Sequence, residues 1–406
     1  MHWFAIHPLN LIKALSMALE LAVHGMTSHH WRTALIADRI AEEIKMPESE
    51  RQKMVYAALL HDIGAAANWE ERKNLKGMEN CPRIYFHAEE GYRLLLLSER
   101  LKKLANTVRH HHDNWNGGNP SGTKGTEIPL TARIIHLADR IEVLIQQEPY
   151  IFDQKARISQ YINGKSGSDF DPALVEAFNR CAMAEAFWLD LVNLNYSEVF
   201  FEKLDVYGLT RYTLEDATDI AKIFSIIIDK TSSYTAMHSH GVAEVAAFLA
   251  QLVGFSFDEI KCMRIAGLLH DLGKLSIPNE VLEKPGKLNA TEILLIKQHT
   301  YHTYRILQRI DNFEMIAEWA AYHHETLDGT GYPFRINEKS LSLGSKILAV
   351  ADVFAALTEN RPYRNRLPED RVKQIMQKMV QYRKLDCRIV EVLFGHYKEA
   401  IKFIGD

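Results

Sequence analysis

The chain is poor in cysteine. Its four cysteines, Cys81, Cys181, Cys262 and Cys387, are scattered and form no Cys-x-x-Cys pair. That argues against a disulfide framework and a thiolate zinc site, and fits a reduced cytoplasmic setting. There is no excess of positive charge either: the formal net charge is −4 over 406 residues, which argues against a DNA or RNA polymer as partner. Alternating runs of Val, Ile and Thr are nearly absent, so few strands are expected. No segment has the length and apolarity of a membrane span. Leu11–Val23 is interrupted by Lys13 and Glu20 and preceded by His7 and Pro8, without a basic leader. It reads as an amphipathic helix, not as a secretory signal.

What the chain has in abundance is helical periodicity. Glu215–Lys230, Val242–Val253, Thr291–Ile310 and Arg371–Gln381 carry apolar residues at helical spacing, predicting an all-α protein. Gly and Pro gather at Asn116–Gly125, Lys284–Gly286 and Asp328–Pro333, the pattern of loops over a site. The length predicts two domains.

The two halves are copies of one pattern. One shift places Leu11–Ser16 on Ile220–Ser225, His29 on His238, His61 on His270 and Asp62 on Asp271. A shift three residues longer places His87, His111 and His112 on His299, His323 and His324, and one longer still places Asp139 on Asp352. Seven potential ligands recurring in order mark a tandem duplication. The break falls near Asp205–Leu214, giving domains 1–205 and 206–406.

Leu268–Lys274 reads Leu-Leu-His-Asp-Leu-Gly-Lys, an adjacent His-Asp pair with a lysine three residues on. Any one histidine is an ordinary residue; the repeated set is not. Imidazoles with carboxylates suit iron, manganese, nickel or zinc and suit calcium poorly. His238, His270, Asp271, His299, His323, His324 and Asp352 exceed the ligand count of one catalytic zinc, so two divalent ions are expected, able to activate water and clamp a phosphate between them. Adjacent His323 and His324 cannot share one helix face, which places them at a helix end. The first-half set, His29, His61, Asp62, His87, His111, His112 and Asp139, is a second candidate metal site.

His270–Lys274, His-His-Glu at His323–Glu325 and Gly-Thr-Gly-Tyr-Pro at Gly329–Pro333 resemble the HD-GYP family of cyclic-dinucleotide phosphodiesterases. Lys284–Leu288, Ile347–Asp352 and Arg361–Arg364 extend the resemblance, which spans roughly Glu215 to Arg364. It implies two tandem helical metal-dependent bundles, iron or manganese as the usual ions, and hydrolysis of cyclic di-GMP or 3′,3′-cyclic GMP-AMP. By the same resemblance Asp271 bridges the ions, with His238, His270 and Asp352 on one and His299, His323 and His324 on the other. Lys274 would stabilise the scissile phosphate. Lys287 and Arg361 would contact phosphate, and Tyr332 either contacts substrate or is structural. Tyr234 stands where trinuclear members carry a glutamate, which favours two metals. Departures from the family pattern at Thr303, Glu325-Thr326-Leu327 and Phe354–Leu357 spare the metal set and bear on base preference.

In the first half Ala65 replaces Lys274, Gly118-Asn119-Pro120 replaces the Gly-Tyr-Pro loop, and Glu148 replaces Arg361. This half reads as a metal-stabilised scaffold, with a regulatory nucleotide site as the alternative. A tandem pair with an impaired first copy resembles phosphodiesterases specific for 3′,3′-cyclic GMP-AMP, which makes that substrate favoured and cyclic di-GMP next. The competing readings are a non-catalytic cyclic-dinucleotide receptor and an HD phosphohydrolase acting on mononucleotides. A homodimer is left open.

Overall fold

A computed structural model describes residues 5–22, 28–67, 84–193, 199–201, 211–231, 237–360 and 365–404. Among these the chain is helical throughout, with two isolated β-bridges and no strand, as the sequence predicts. No helix among them is long and apolar enough to cross a membrane. Contacts divide the chain into two compact units, Leu15–Arg211 and Tyr212–Asp406, the latter together with Met1–Ala14. The opening segment therefore groups with the second copy, through antiparallel pairing of Ile6 with Tyr212 among other contacts. The helix α1 (Pro8–Ala22) buries Leu11, Ile12, Leu15, Ala18 and Leu19 and leaves a narrow stripe of Asn10, Lys13, Met17 and Glu20 partly exposed.

The unit Leu15–Arg211 is built on α2 (His29–Glu43), α3 (Glu48–Leu59), α4 (Ile84–Leu95), α5 (Ala105–Arg109) and α6 (Leu130–Val143). Helices α7 (Ile151–Gly164), α8 (Pro172–Cys181) and α9 (Glu185–Val192) complete it. Helix α2 packs on α3, α6 and α8, and α4 packs on α5. Apolar faces decide this: Leu35, Ile36 and Ile40 of α2 and Ile134, Ile135 and Ile141 of α6 are fully or almost fully buried. Each such side chain contributes roughly 1.5–3 kcal/mol on burial.

The second unit repeats the plan with α10 (Leu214–Lys230), α11 (His238–Leu252), α12 (Phe257–Leu269), α13 (Ala290–Leu307), α14 (Glu314–Ala321) and α15 (Leu343–Thr358). Helices α16 (Glu369–Gln381) and α17 (Cys387–Gly395) follow. Helix starts are fixed locally by reciprocal caps: Thr213 with Asp216, Ser256 with Glu259, and Asn289 with Glu292. Helix α12 packs against α10, α11 and α14, with Ile265, Ala266, Leu268 and Leu269 in the core. This buried helix delivers the His-Asp pair at its carboxy-terminal end.

Gly273 lets the turn after α12 lie directly on α13. A Cβ there would sit 1.9 Å from the His299 carbonyl oxygen. Gly64 has the same relation to α4, where a Cβ would meet the His87 carbonyl at 2.0 Å. Both contacts are with backbone, so neither can yield cheaply. Gly273→Ala and Gly64→Ala should each destabilise the protein by at least about 1–3 kcal/mol. Gly164→Ala, with open space around its Cβ, should be neutral or stabilising by up to about 1 kcal/mol. Urea denaturation of the three variants checks this; an unperturbed Gly273→Ala would contradict the close approach.

Candidate metal centre

The second unit gathers its ligands from three helix ends and two helix faces. His238 opens α11, His270 and Asp271 follow α12, His299 lies inside α13, His323 and His324 follow α14, and Asp352 lies inside α15. Because His323 and His324 stand in the turn beyond Ala321, both rings turn inward, as the sequence requires. His238, His270, Asp271, His299, His323 and Asp352 are buried, while Lys274, His324 and Tyr332 are partly exposed on the open side. Three groups, His238/His270/Asp352, His270/Asp271/His323 and His299/His323/His324, have ligand atoms close enough to hold an ion.

The two oxygens of Asp271 face different partners. Oδ2 lies 3.2 Å from His270 Nε2 and 2.5 Å from Lys274 Nζ, while Oδ1 lies 3.3 Å from His299 Nε2 and 4.0 Å from His323 Nε2. His238 Nε2 is 3.3 Å from Asp352 Oδ1. The proton positions of the rings follow from their outer partners. His270, His299 and His323 each place Nδ1 2.7 Å from the backbone oxygen three residues earlier, on Gly267, Ile296 and Ala320. A carbonyl oxygen only accepts, so Nδ1 carries the proton and Nε2 of the neutral ring is a lone pair. Those lone pairs face one another: His299 Nε2 and His323 Nε2 are 3.4 Å apart. His270 Nε2 is buried and has no hydrogen-bond partner. Acceptors aimed at acceptors and carboxylates require a cation between them, so these residues fit metal ions.

The electrostatics of His299 and His323 agree, whereas at His270 burial opposes charge but Asp271 and Asp352 raise the ring above its ordinary pKa. Burial and the neighbouring imidazoles hold His323 well below its ordinary pKa, and burial brings His299 down to about 3. Burial opposes charge on His238 too, but Asp352 and Glu359 outweigh it and raise this histidine to about 10. Burial likewise opposes charge on Lys274, and Asp271 more than restores it. Burial would raise the Asp271 carboxyl, yet His270 and Lys274 hold it well below the usual range.

Several supporting residues carry no motif of their own. Glu359 accepts from His238 Nδ1 at 2.9 Å; it stands two helical turns beyond Asp352, so helical spacing is the signal that points to it. Thr303, the departure from the family pattern, accepts from Gly273 N at 3.0 Å and donates to the His270 carbonyl at 3.1 Å, clamping the His-Asp turn to α13. Glu325 accepts from the backbone N–H groups of Phe334, Arg335 and Ile336, tying down the Gly-Tyr-Pro loop. The Tyr332 ring lies 4.9 Å from the His324 ring with Lys297 Nζ 5.1 Å from its centre. Lys287 is exposed. Arg361 and Tyr234 lie outside the described residues.

The first unit brings its seven predicted residues together in the same way. Asp62 Oδ2 faces His29 and His61, and Oδ1 faces His87 and His111 at 3.4 and 3.9 Å. His61 and His111 donate Nδ1 to the Ala58 and Val108 carbonyls at 2.7 and 2.6 Å. His112 Nε2 is 2.9 Å from His87 Nε2. Asp139 Oδ1 is 3.4 Å from His29 Nε2. Glu142 bonds His29 Nδ1, as Glu359 bonds His238. One further imidazole, His30, joins this cluster; sequence comparison of the copies passes over it because its counterpart is Ser239.

The HD domain family profile matches residues 13–174 and 222–389. The chain is similar to 3′3′-cGAMP-specific phosphodiesterase 1 of Vibrio cholerae, at 31% identity over 396 residues, covering 93% of this chain and 89% of that protein. It is 34% identical over 307 residues to 3′3′-cGAMP-specific phosphodiesterase 3 of the same species, covering 75% of this chain and 64% of that protein. A crystal structure of a cyclic GMP-AMP specific phosphodiesterase of V. cholerae superposes with a TM-score of 0.69 at 25% identity, covering 99% of each chain.

An ion bound through His238 Nε2 must displace a proton, since that ring is charged in the ion-free protein. The raised His238 pKa contributes stability to the ion-free fold below pH 6.5, and this contribution is lost as pH rises through about 10. Across the same window manganese(II) affinity should rise, by about tenfold per pH unit for one displaced proton. Calorimetric titration in buffers of different ionisation heat checks both; a pH-independent affinity with no proton release would contradict the assignment.

Proposed function

Because this chain belongs to the HD domain family, we propose that its second unit is a metal-dependent phosphodiesterase that opens a cyclic dinucleotide to the linear form, with 3′,3′-cyclic GMP-AMP the favoured substrate and cyclic di-GMP the next. The observation that carries this reading is the facing of proton-free Nε2 atoms around the split carboxylate of Asp271, with a lysine at its rim. His238, His270 and Asp352 would hold one divalent ion and His299, His323 and His324 the other, with Asp271 shared. Iron or manganese suits this mixture of imidazole and carboxylate, and nickel or zinc would also fit. When bound, such ions supply an activated water and neutralise phosphate charge.

The chain's own groups supply the rest. Lys274 is charged, partly exposed and paired with Asp271. An incoming phosphate can draw its ammonium away from that carboxylate, placing positive charge where negative charge grows during attack. Tyr332 and Lys297 border the same opening beside His324, positioned to flank a nucleotide. The Glu325 clamp holds the Tyr332 loop in place, so substrate contacts form on a fixed frame. A receptor reading finds less support, since the second unit keeps both its ligand set and Lys274. The similarity to the Vibrio enzymes favours cyclic GMP-AMP over a mononucleotide.

The direct test is a product time course with 3′,3′-cyclic GMP-AMP and cyclic di-GMP side by side, each with manganese or iron added. Faster opening of the cyclic GMP-AMP is expected, and no hydrolysis of either by the metal-loaded protein would sink the proposal. Asp271→Ala should abolish turnover and lower metal content, because a shared ligand cannot be replaced from one side. Lys274→Ala should keep the metals and slow hydrolysis by roughly 2.7–4 kcal/mol in the barrier, the loss of one oxyanion donor. An Lys274→Ala protein of unchanged rate, or one stripped of metal, would contradict that role.

A further inference from the structure

At the same corner of the two copies, one residue has been lost and another gained. The second unit sets Lys274 Nζ 2.5 Å from Asp271 Oδ2. The first unit has Ala65 in that place, and His30 turns in to set Nε2 3.6 Å from Asp62 Oδ2. The counterpart of His30, Ser239, turns away and donates to Asp229 at 2.7 Å. Glu20 stands where the second unit has Asp229, and it accepts from the His30 backbone N–H at 3.0 Å and from the Ser28 N–H at 2.9 Å. The His30 ring is thereby left to face Asp62, with Ser16 Oγ 3.3 Å from Nδ1. Ser16 Oγ and Glu20 Oε1, the latter 3.9 Å away, can both accept from Nδ1, and the tautomer protonated there leaves the Nε2 lone pair pointing at the cluster.

We propose that His30 is an additional metal ligand, and that His29, His30, His61 and Asp62 hold a divalent ion of zinc-like character in a filled, non-catalytic coordination sphere. Donors about 2.0–2.1 Å from a tetrahedral ion lie roughly 3.3–3.4 Å from one another. The cluster matches: His29 Nε2 to His61 Nε2 is 3.3 Å, His61 Nε2 to Asp62 Oδ2 is 3.3 Å and His29 Nε2 to Asp62 Oδ2 is 3.5 Å. All four ligand atoms lie within 4.8 Å of one another, and all four residues are buried. Three imidazoles and a carboxylate make a four-coordinate site, with Asp139 Oδ1, 3.4 Å from His29 Nε2 and 3.8 Å from His61 Nε2, as a further donor beside it, while catalytic zinc keeps a position open for water or substrate.

The far side is closed as well. His112 is buried, whereas its counterpart His324 is partly exposed. His136 and then Phe170 pack edge-on in sequence beyond His112, whereas in the second unit the partly exposed Tyr332 lies beside His324. Loss of the lysine and gain of the histidine thus act together: a position for phosphate becomes a position for a protein ligand.

This inference rests on the reading of both clusters as metal centres, and the test separates the two. The full chain is freed of metal, reloaded with zinc(II), and compared with His30→Ser, the residue of the other copy, and His30→Asn, which keeps a polar side chain of similar reach. Metal content is followed during chelator challenge, and melting temperature is measured with and without zinc(II). Wild type should hold roughly one ion per chain that resists the chelator. Both variants should release that ion at least about tenfold faster and lose most of the zinc-dependent rise in melting temperature. Hydrolysis per folded molecule, carried by the second unit, should persist in both. Release as slow as in wild type from either folded variant would overturn the ligand role of His30. A wild-type chain that takes up no zinc(II) would instead remove the premise that these clusters bind metal, and the proposal with it.

Discussion

Among the described residues, five histidine rings are held by the same short bond, from Nδ1 to a carbonyl three residues back. Much else depends on it. A ring so held has its proton on the outside and its lone pair on the inside, whatever the rest of the site does. Placed alone, such a ring is an ordinary buried histidine. Set opposite others at 3.3–3.4 Å, it leaves a buried cluster of acceptors around one aspartate that has no favourable state without positive charge. The helix framework brings these groups together, and burial of apolar faces such as those of α11, α12 and α15 has to offset the cost of holding them there.

The divergence of the two copies separates what the fold needs from what chemistry needs. Gly64 and Gly273 are both kept because each turn lies on a backbone carbonyl with no room for a Cβ. The carboxylate partners of the first ligand are both kept, although they come from different turns of the corresponding helix: Glu142 one turn beyond Asp139, and Glu359 two turns beyond Asp352. Loop clamps also persist in altered form. Where Glu325 accepts three backbone N–H groups, Asp113 accepts from His110, Ser121 and Thr123 side chains. The lysine is not kept, and it is the one of these residues that positions nothing in the scaffold.

The duplication, the all-α class and the fourteen residues that gather in the two clusters were legible because each leaves a signal in the linear pattern: helical spacing, or recurrence under a nearly constant shift. Helix starts could be read to within a few residues where a capping pair stands, as at Thr213 and Asn289. The ligand supports were harder. Glu359 and Glu142 depend on which face of a helix looks inward, and Thr303 on how closely one turn lies on another. Lys287 was suggested by its place in a family-like motif, and its side chain is exposed. The segment up to Ala14 joins the far end of the chain by contacts that no periodicity encodes.

His30 is instructive because comparison of the copies hides it. Aligning repeats rewards identity, and a histidine opposite a serine scores as a mismatch. The physical comparison is of what surrounds one carboxylate oxygen. Asp271 Oδ2 has an imidazole and an ammonium beside it, whereas Asp62 Oδ2 has three imidazoles. An ammonium is compact, strongly hydrated and mobile on its stem, so it can be lent to a passing phosphate. A buried imidazole fixed at its outer nitrogen cannot move that way; it can only donate its lone pair. Exchanging one for the other at a single oxygen therefore alters the site's exposure and its capacity for turnover together, while leaving the helices that carry it unchanged.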